Sequence, residues 1–130
     1  MSTGLHMKPD VVEAASTLLG EMKNAASSLT YGALLTDDGF DVARYPVKAD
    51  GERFAGMASS MQALSEAVAH ELKIGDSEYI IIASGKGHVV QLRVPGKELV
   101  LSALFDNDAT VGHALAITRS FAQKMADLLS

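Results

Sequence analysis

Residues 78–105, EYIIIASGKGHVVQLRVPGKELVLSALF, read as three strands in series. The runs 78–84, 88–94 and 99–105 are short and rich in β-branched and large apolar side chains, with Gly85-Lys86-Gly87 and Pro95-Gly96 between them. Pro95-Gly96 suits the central positions of a type II turn, where proline presets the first φ and glycine accepts the positive second one. Links this short join antiparallel strands. Tyr79, Ile80, Ile81, Ile82 and Ala83 are apolar at both alternating positions, as are Leu99, Val100, Leu101, Ala103 and Leu104. The sheet therefore needs cover on both faces.

Upstream, 31–36 and 40–45 read as another hairpin closed by Asp37-Asp38-Gly39. Helical periodicity supplies the cover. Asp10 is placed to cap a first helix carrying Val11, Val12, Ala15, Leu18, Leu19, Met22 and Ala26. After the break at Pro46, Asp50 is a candidate N-cap for a helix over 52–73, with Gly75 as its left-handed stop. Asn107 or Asp108 is expected to cap a last helix with Val111, Leu115, Thr118, Phe121, Met125 and Leu128 on one face. The order is helix, two strands, helix, three strands, helix, an α+β arrangement. Two helices then cover one face and one the other, so the lone middle helix is expected to under-cover its side.

That helix carries two surfaces. Phe54, Met57, Met61, Leu64, Val68 and Leu72 form a seam expected to cover the sheet. Ala55, Gly56, Ala58, Ser59, Ser60, Ala63, Ala67 and Ala69 leave the remainder small and weakly polar, where a solvated helix would carry Glu and Lys. Alanine chosen for helix propensity is the plainer account; a second body packed on the helix is the preferred one. The strand 78–84 adds to this. At a sheet edge its unpaired N–H and C=O groups would template another strand, with only Glu78 to blunt it, whereas a central position would remove that role. Met57, Ser60, Met61, Leu64, Val68, Tyr79, Ile80, Ile81 and Ile82 are the interface candidates for a symmetric homodimer.

Composition limits the function. At 130 residues the chain is expected to form one domain over 10–130, with 1–9 an N-terminal extension in which His6-Met7 is a candidate cloning scar. With no cysteine there is neither a disulfide framework nor a thiolate metal site, and no apolar run approaches the ~20 residues of a membrane-spanning helix. A soluble, cytoplasmic protein without membrane insertion is expected. A net charge of −5 argues against nucleic acid as a partner.

The element order, with Tyr31-Gly32-Ala33-Leu34-Leu35-Thr36-Asp37-Asp38-Gly39-Phe40, the Ala/Ser-rich helix from Phe54 to Val68, Glu78-Tyr79-Ile80-Ile81-Ile82 and Asn107-Asp108-Ala109-Thr110-Val111-Gly112, resembles the Roadblock/LC7 family, particularly its bacterial members. The resemblance implies a Roadblock/profilin-like fold with strand order 2-1-5-4-3, the middle helix on one face and the terminal helices on the other. It also implies a homodimer with edge-to-edge third strands and packed middle helices. By function it implies a non-catalytic regulator or scaffold of a small Ras-like GTPase. Direct stimulation of hydrolysis would need a guanidinium free to enter the partner's site. For Arg44, Arg53, Arg93 and Arg119 surface solvation or pairing is the plainer account; Arg53 and Arg93 are retained as partner-binding candidates.

Enzymatic constellations are missing from the sequence. His6, His70, His88 and His113 show no metal-ligand spacing, and Ser84-Gly85-Lys86-Gly87-His88 lacks the Walker pattern and joins strand to strand. Asp37, Asp38 and Asp41 lack the other ligands of an EF-hand, and there is no nucleophile elbow. No cofactor is expected. Two alternatives stay open: a small-ligand sensor using His88, Gln91 and Arg93, and a purely structural dimerisation module.

Overall fold

Tight turns organise the chain as their chemistry predicts. In the computed structural model, which describes residues 9–46 and 51–129, Gly39 and Gly96 both take positive φ, at 92° and 72°. Each lies in a turn closed by backbone hydrogen bonds, Gly39 N–H to Thr36 O at 3.0 Å and Lys97 N–H to Val94 O at 3.1 Å. The elements are α1 (Pro9–Ala25), β1 (Leu29–Thr36), β2 (Asp41–Tyr45), α2 (Gly51–Glu71), β3 (Ile80–Ser84), β4 (Gly87–Arg93), β5 (Leu99–Asp106) and α3 (Val111–Leu128). Their strands form one antiparallel sheet in the order β2-β1-β5-β4-β3, so β3 lies at an edge rather than in the centre.

One face of the sheet carries the main core. Leu18, Leu19 and Met22 of α1 and Phe121 and Met125 of α3 bury against Leu34, Val90, Leu92, Leu99, Leu101 and Phe105. The other face is covered by α2 alone, and its core is small: Tyr31, Ala33 and Leu35 with Ala55 and Ala58, flanked by Phe54 and Leu104. Tyr31 and Phe54 meet edge to face, their ring centroids 4.4 Å apart.

Here the expected orientation of α2 is reversed. Gly51, Ala55, Ala58, Gln62 and Ala69 are its buried residues, whereas Met57, Leu64 and Val68 point outward and Phe54 and Met61 are half-buried at the flank. The sheet itself supplies the large side chains here, Tyr31, Leu35 and Gln91, and α2 meets them with small ones. Gln91, in the middle of β4, is fully buried beneath the helix and donates through Nε2 to the main-chain oxygen of Ala58 at 2.8 Å.

A polar chain completes this seat. Gln91 Nε2 also donates to Gln62 Oε1 at 3.2 Å, and Gln62 Nε2 donates to Glu66 Oε2 at 2.8 Å. Glu66 accepts from Arg93 Nη2 at 2.8 Å, while Arg93 Nη1 donates to both carboxylate oxygens of Asp37 at 2.6 and 2.8 Å. Arg93 thus ties α2, β4 and the β1–β2 turn together. Its hydrogen bond, followed by that from Gln62, holds the Glu66 carboxyl below the ordinary glutamate range. Asp41 goes the other way: burial raises it despite the pull of Arg44.

Several boundaries move for local reasons. Asp10 lies inside α1, whose described start is Pro9, where a missing N–H does no harm. Thr110, not Asn107 or Asp108, caps α3, its hydroxyl accepting from His113 N–H at 3.1 Å. Asn107 and Asp108 build the preceding turn instead, through Asn107 Nδ2 to Gly85 O and Asp108 N–H to the Asp106 carboxylate. β3 starts at Ile80, leaving Glu78 and Tyr79 before it. Leu128 of the predicted α3 face is exposed. Asp50 and all of 1–9 except Pro9 lie outside the described residues.

The end of α2 also differs. Lys73 N–H bonds to His70 O at 3.1 Å and Ile74 N–H to Ala69 O at 3.1 Å, the paired bonds of a Schellman cap with Lys73 at its left-handed position, φ 56°. Gly75, the expected stop, lies two residues beyond it.

Lys73→Gly removes a β-carbon from a left-handed site and is expected to stabilise the fold by about 0.5–1 kcal/mol net of unfolded-chain entropy, read from urea midpoints. Because the folded Glu66 carboxyl is depressed, its contribution is present above the ordinary glutamate range and is lost as pH falls through the lower folded value. Glu66→Gln should therefore lower stability at neutral pH by about 0.5–1 kcal/mol, allowing for solvent screening of this half-exposed pair, and the gap to the wild type should close on acidification.

A candidate docking face

With Ala55, Ala58 and Ala69 turned to the sheet, α2 presents an apolar stripe outward. Met57, Leu64 and Val68 recur at steps of seven and four along one side of the helix, and Leu64 is 66% exposed. The stripe continues past the Schellman cap through Leu72 to Ile74, which is 70% exposed. Met61 is half-buried beside it and Ser60 exposed. A contiguous apolar surface of this kind is the ordinary signature of an interaction site.

β3 adjoins the same face. It pairs with β4 without a register break from Ile80↔Gln91 to Ser84↔Gly87, and its other edge is the margin of the sheet. Neither lysine, proline nor a bulge interrupts Ile80–Ser84 to protect that margin. Ile80 and Ile82 share the α2 side with Gln91, and Ile82 is 46% exposed. Ile81 faces the other way and packs on the main core. Tyr79, exposed just before the strand, lies under the Arg119 guanidinium at 5.5 Å from its ring centroid.

The two arginine candidates separate. Arg93 belongs to the seat of α2, with Asp37 and Glu66 on its terminal nitrogens. Arg53 is exposed in the first turns of α2, on the side of Met57, and makes no ion pair among the described residues. Arg44 pairs with Asp41.

The residues expected of a ligand sensor do not converge. Gln91 is fully buried under α2 and Arg93 follows it on that face, whereas His88 lies on the opposite face with Nε2 against Ala109 O at 3.1 Å. Among the described residues no group of three His, Cys, Asp or Glu could hold a metal, and no helix is long and apolar enough to cross a membrane. What sequence reasoning missed is the polar seat of α2. Its visible signal was Gln91, an amide in the middle of an apolar strand, two positions before an arginine.

No protein-family model matches the chain, and no curated protein matches it in sequence. Solved structures do match in shape. A structure described as MglB with a tetrameric arrangement superposes with TM-score 0.81 at 19% identity, over 93% of this chain and 91% of that one. Myxococcus xanthus MglB gives 0.81 at 13% identity, over 91% and 89%. A Roadblock/LC7 domain from Streptomyces avermitilis gives 0.79 at 16% identity, over 88% and 96%. Sheet order, helix placement and these superpositions agree: the chain has the Roadblock/LC7 fold of the bacterial MglB-like structures.

Proposed function

We propose that this chain is a non-catalytic homodimer that binds a small Ras-like GTPase as a regulator or scaffold. The observation that carries the reading is the outward apolar stripe of α2 beside the open edge of β3. Pairing β3 with β3 of a second copy about a two-fold axis would continue the sheet and place both α2 helices on one face. It would satisfy the edge groups and cover Ile82, Tyr79 and part of the stripe. The tetrameric arrangement described for one MglB structure supports self-association in proteins of this fold.

The GTPase comes from the family resemblance of the sequence. Apolar side chains remaining on the paired α2 helices, with Arg53 on each, would form the platform for it. Arg93 is left out of this role because its guanidinium is already held by two carboxylates. The seat of α2 also buries Gln91 among protein groups, which weighs against a ligand pocket there.

Because Leu64 is exposed in the single chain, Leu64→Glu should leave the protomer folded, with an unchanged circular dichroism spectrum, and turn a sedimenting dimer into a monomer. A wild type that sediments as a monomer at about 100 μM, well above ordinary dimer dissociation constants, would contradict the dimer. Ras-like GTPases of the same genome, loaded with GTP or GDP, test the partner. One of them should bind preferentially in one nucleotide state, and Arg53→Glu should weaken that binding at least about five-fold without altering the dimer. Equal binding of both states would reduce the role to scaffolding, and no binding by any would leave a structural dimerisation module.

A further inference from the structure

We infer that α2 is a detachable element: it lifts from the sheet as a unit while α1, α3 and the sheet remain folded, and the Arg93 clasp sets how often it does so. The two faces of the sheet are held by different means. α1 and α3 bury Leu18, Leu19, Met22, Phe121 and Met125 in one large core. Under α2 the buried side chains of the helix are three alanines and Gln62, and a buried methyl contributes roughly a third of what a buried leucine does. Directional hydrogen bonds do much of the holding, from Gln91 to Ala58 O and through Gln62, Glu66 and Arg93.

The same interface contains a feature that opposes closure. Gln91 and Ser102 are directly paired across β4 and β5, both fully buried on the α2 side. Gln91 Oε1 and Ser102 Oγ have no hydrogen-bond partner among the described residues. A polar atom buried unpaired favours any state in which water reaches it, and lifting α2 exposes both. The connector allows the movement, since Leu72, Lys73, Ile74, Gly75 and Asp76 are all exposed, with Lys73 and Gly75 at positive φ. A partner that covers the stripe and the β3 edge together would bind the seated helix better than the lifted one and so hold it to the sheet. Binding at the stripe and seating of α2 are thus one linked equilibrium, and this last link alone rests on the proposed homodimer.

Native-state hydrogen exchange at low urea, on the full chain, tests the idea. Amides of 51–71 should exchange through an opening of lower free energy and weaker urea dependence than amides of β1 and β5. Arg93→Met should speed their exchange about ten-fold, and Ser102→Ala, which removes one unpaired group, should slow it about five-fold. The inference is overturned if α2 amides share the free energy and urea slope of β1 and β5, or if both substitutions leave their exchange unchanged. Should Arg93→Met fail to fold, Ser102→Ala carries the same test in the opposite direction. Repeating the wild-type measurement over a range of protein concentrations separates the two readings. Protection of α2 that rises with concentration supports the link to self-association. A low-energy α2 opening indifferent to concentration removes that link and leaves the detachable helix standing.

Discussion

Gln91 and Arg93, two positions apart on β4 and on the same face, decide how this molecule presents itself. The Gln91 amide reaches the Ala58 carbonyl at 2.8 Å, and Arg93 holds Glu66 of the same helix together with Asp37 of the β1–β2 turn. With Tyr31, Leu35 and Gln91 filling the space above the sheet, α2 meets it mostly through small side chains. Ala55, Ala58 and Ala69 therefore go inward, and Met57, Leu64 and Val68 go out. The exposed stripe is a consequence of the seat.

The sheet edge supplies the complementary half. β3 is last in the strand order, joined only to β4, and its α2-facing isoleucines sit at the open margin. On the far face α1 and α3 close over a large core, so the apolar surface left uncovered concentrates around α2 and β3. One copy of the chain thus satisfies one face and leaves the other looking for cover. A second copy meets the need of the edge strand most simply, since identical edges can pair about a two-fold axis.

How much of this is legible in the sequence depends on how local the cause is. Gly39 and Gly96 mark their turns because positive φ is a property of a few residues, and all three helices show their periodicity. The sheet order cannot be read from residues alone and came from the resemblance. The facing of α2 is tertiary: the helix has a large apolar stripe and a small one, and periodicity cannot say which is inside. The Gln91-to-Ala58 bond, between residues 33 positions apart, settles it. Caps fall between these cases. Thr110 displaced the expected Asn107 or Asp108 because those two are used in the turn, and Lys73 took the left-handed cap site expected for Gly75. In the candidate site, Met57, Leu64 and Val68 belong to a seam that was expected to cover the sheet and instead faces outward, whereas Tyr79 and Ile82 are exposed at and just before the strand expected to form an edge.

The chain contains no cysteine, so introduced thiols can report whether the β3 edge meets its own copy. Single cysteines introduced as Ile82→Cys, at the β3 edge, and as Phe40→Cys, beside the opposite edge strand β2 and 55% exposed, can be compared under mild oxidation. Ile82→Cys should form disulfide-linked dimers rapidly, and Phe40→Cys should link slowly and only as concentration rises. Equal rates at the two sites, or faster linking through Phe40→Cys, would contradict it.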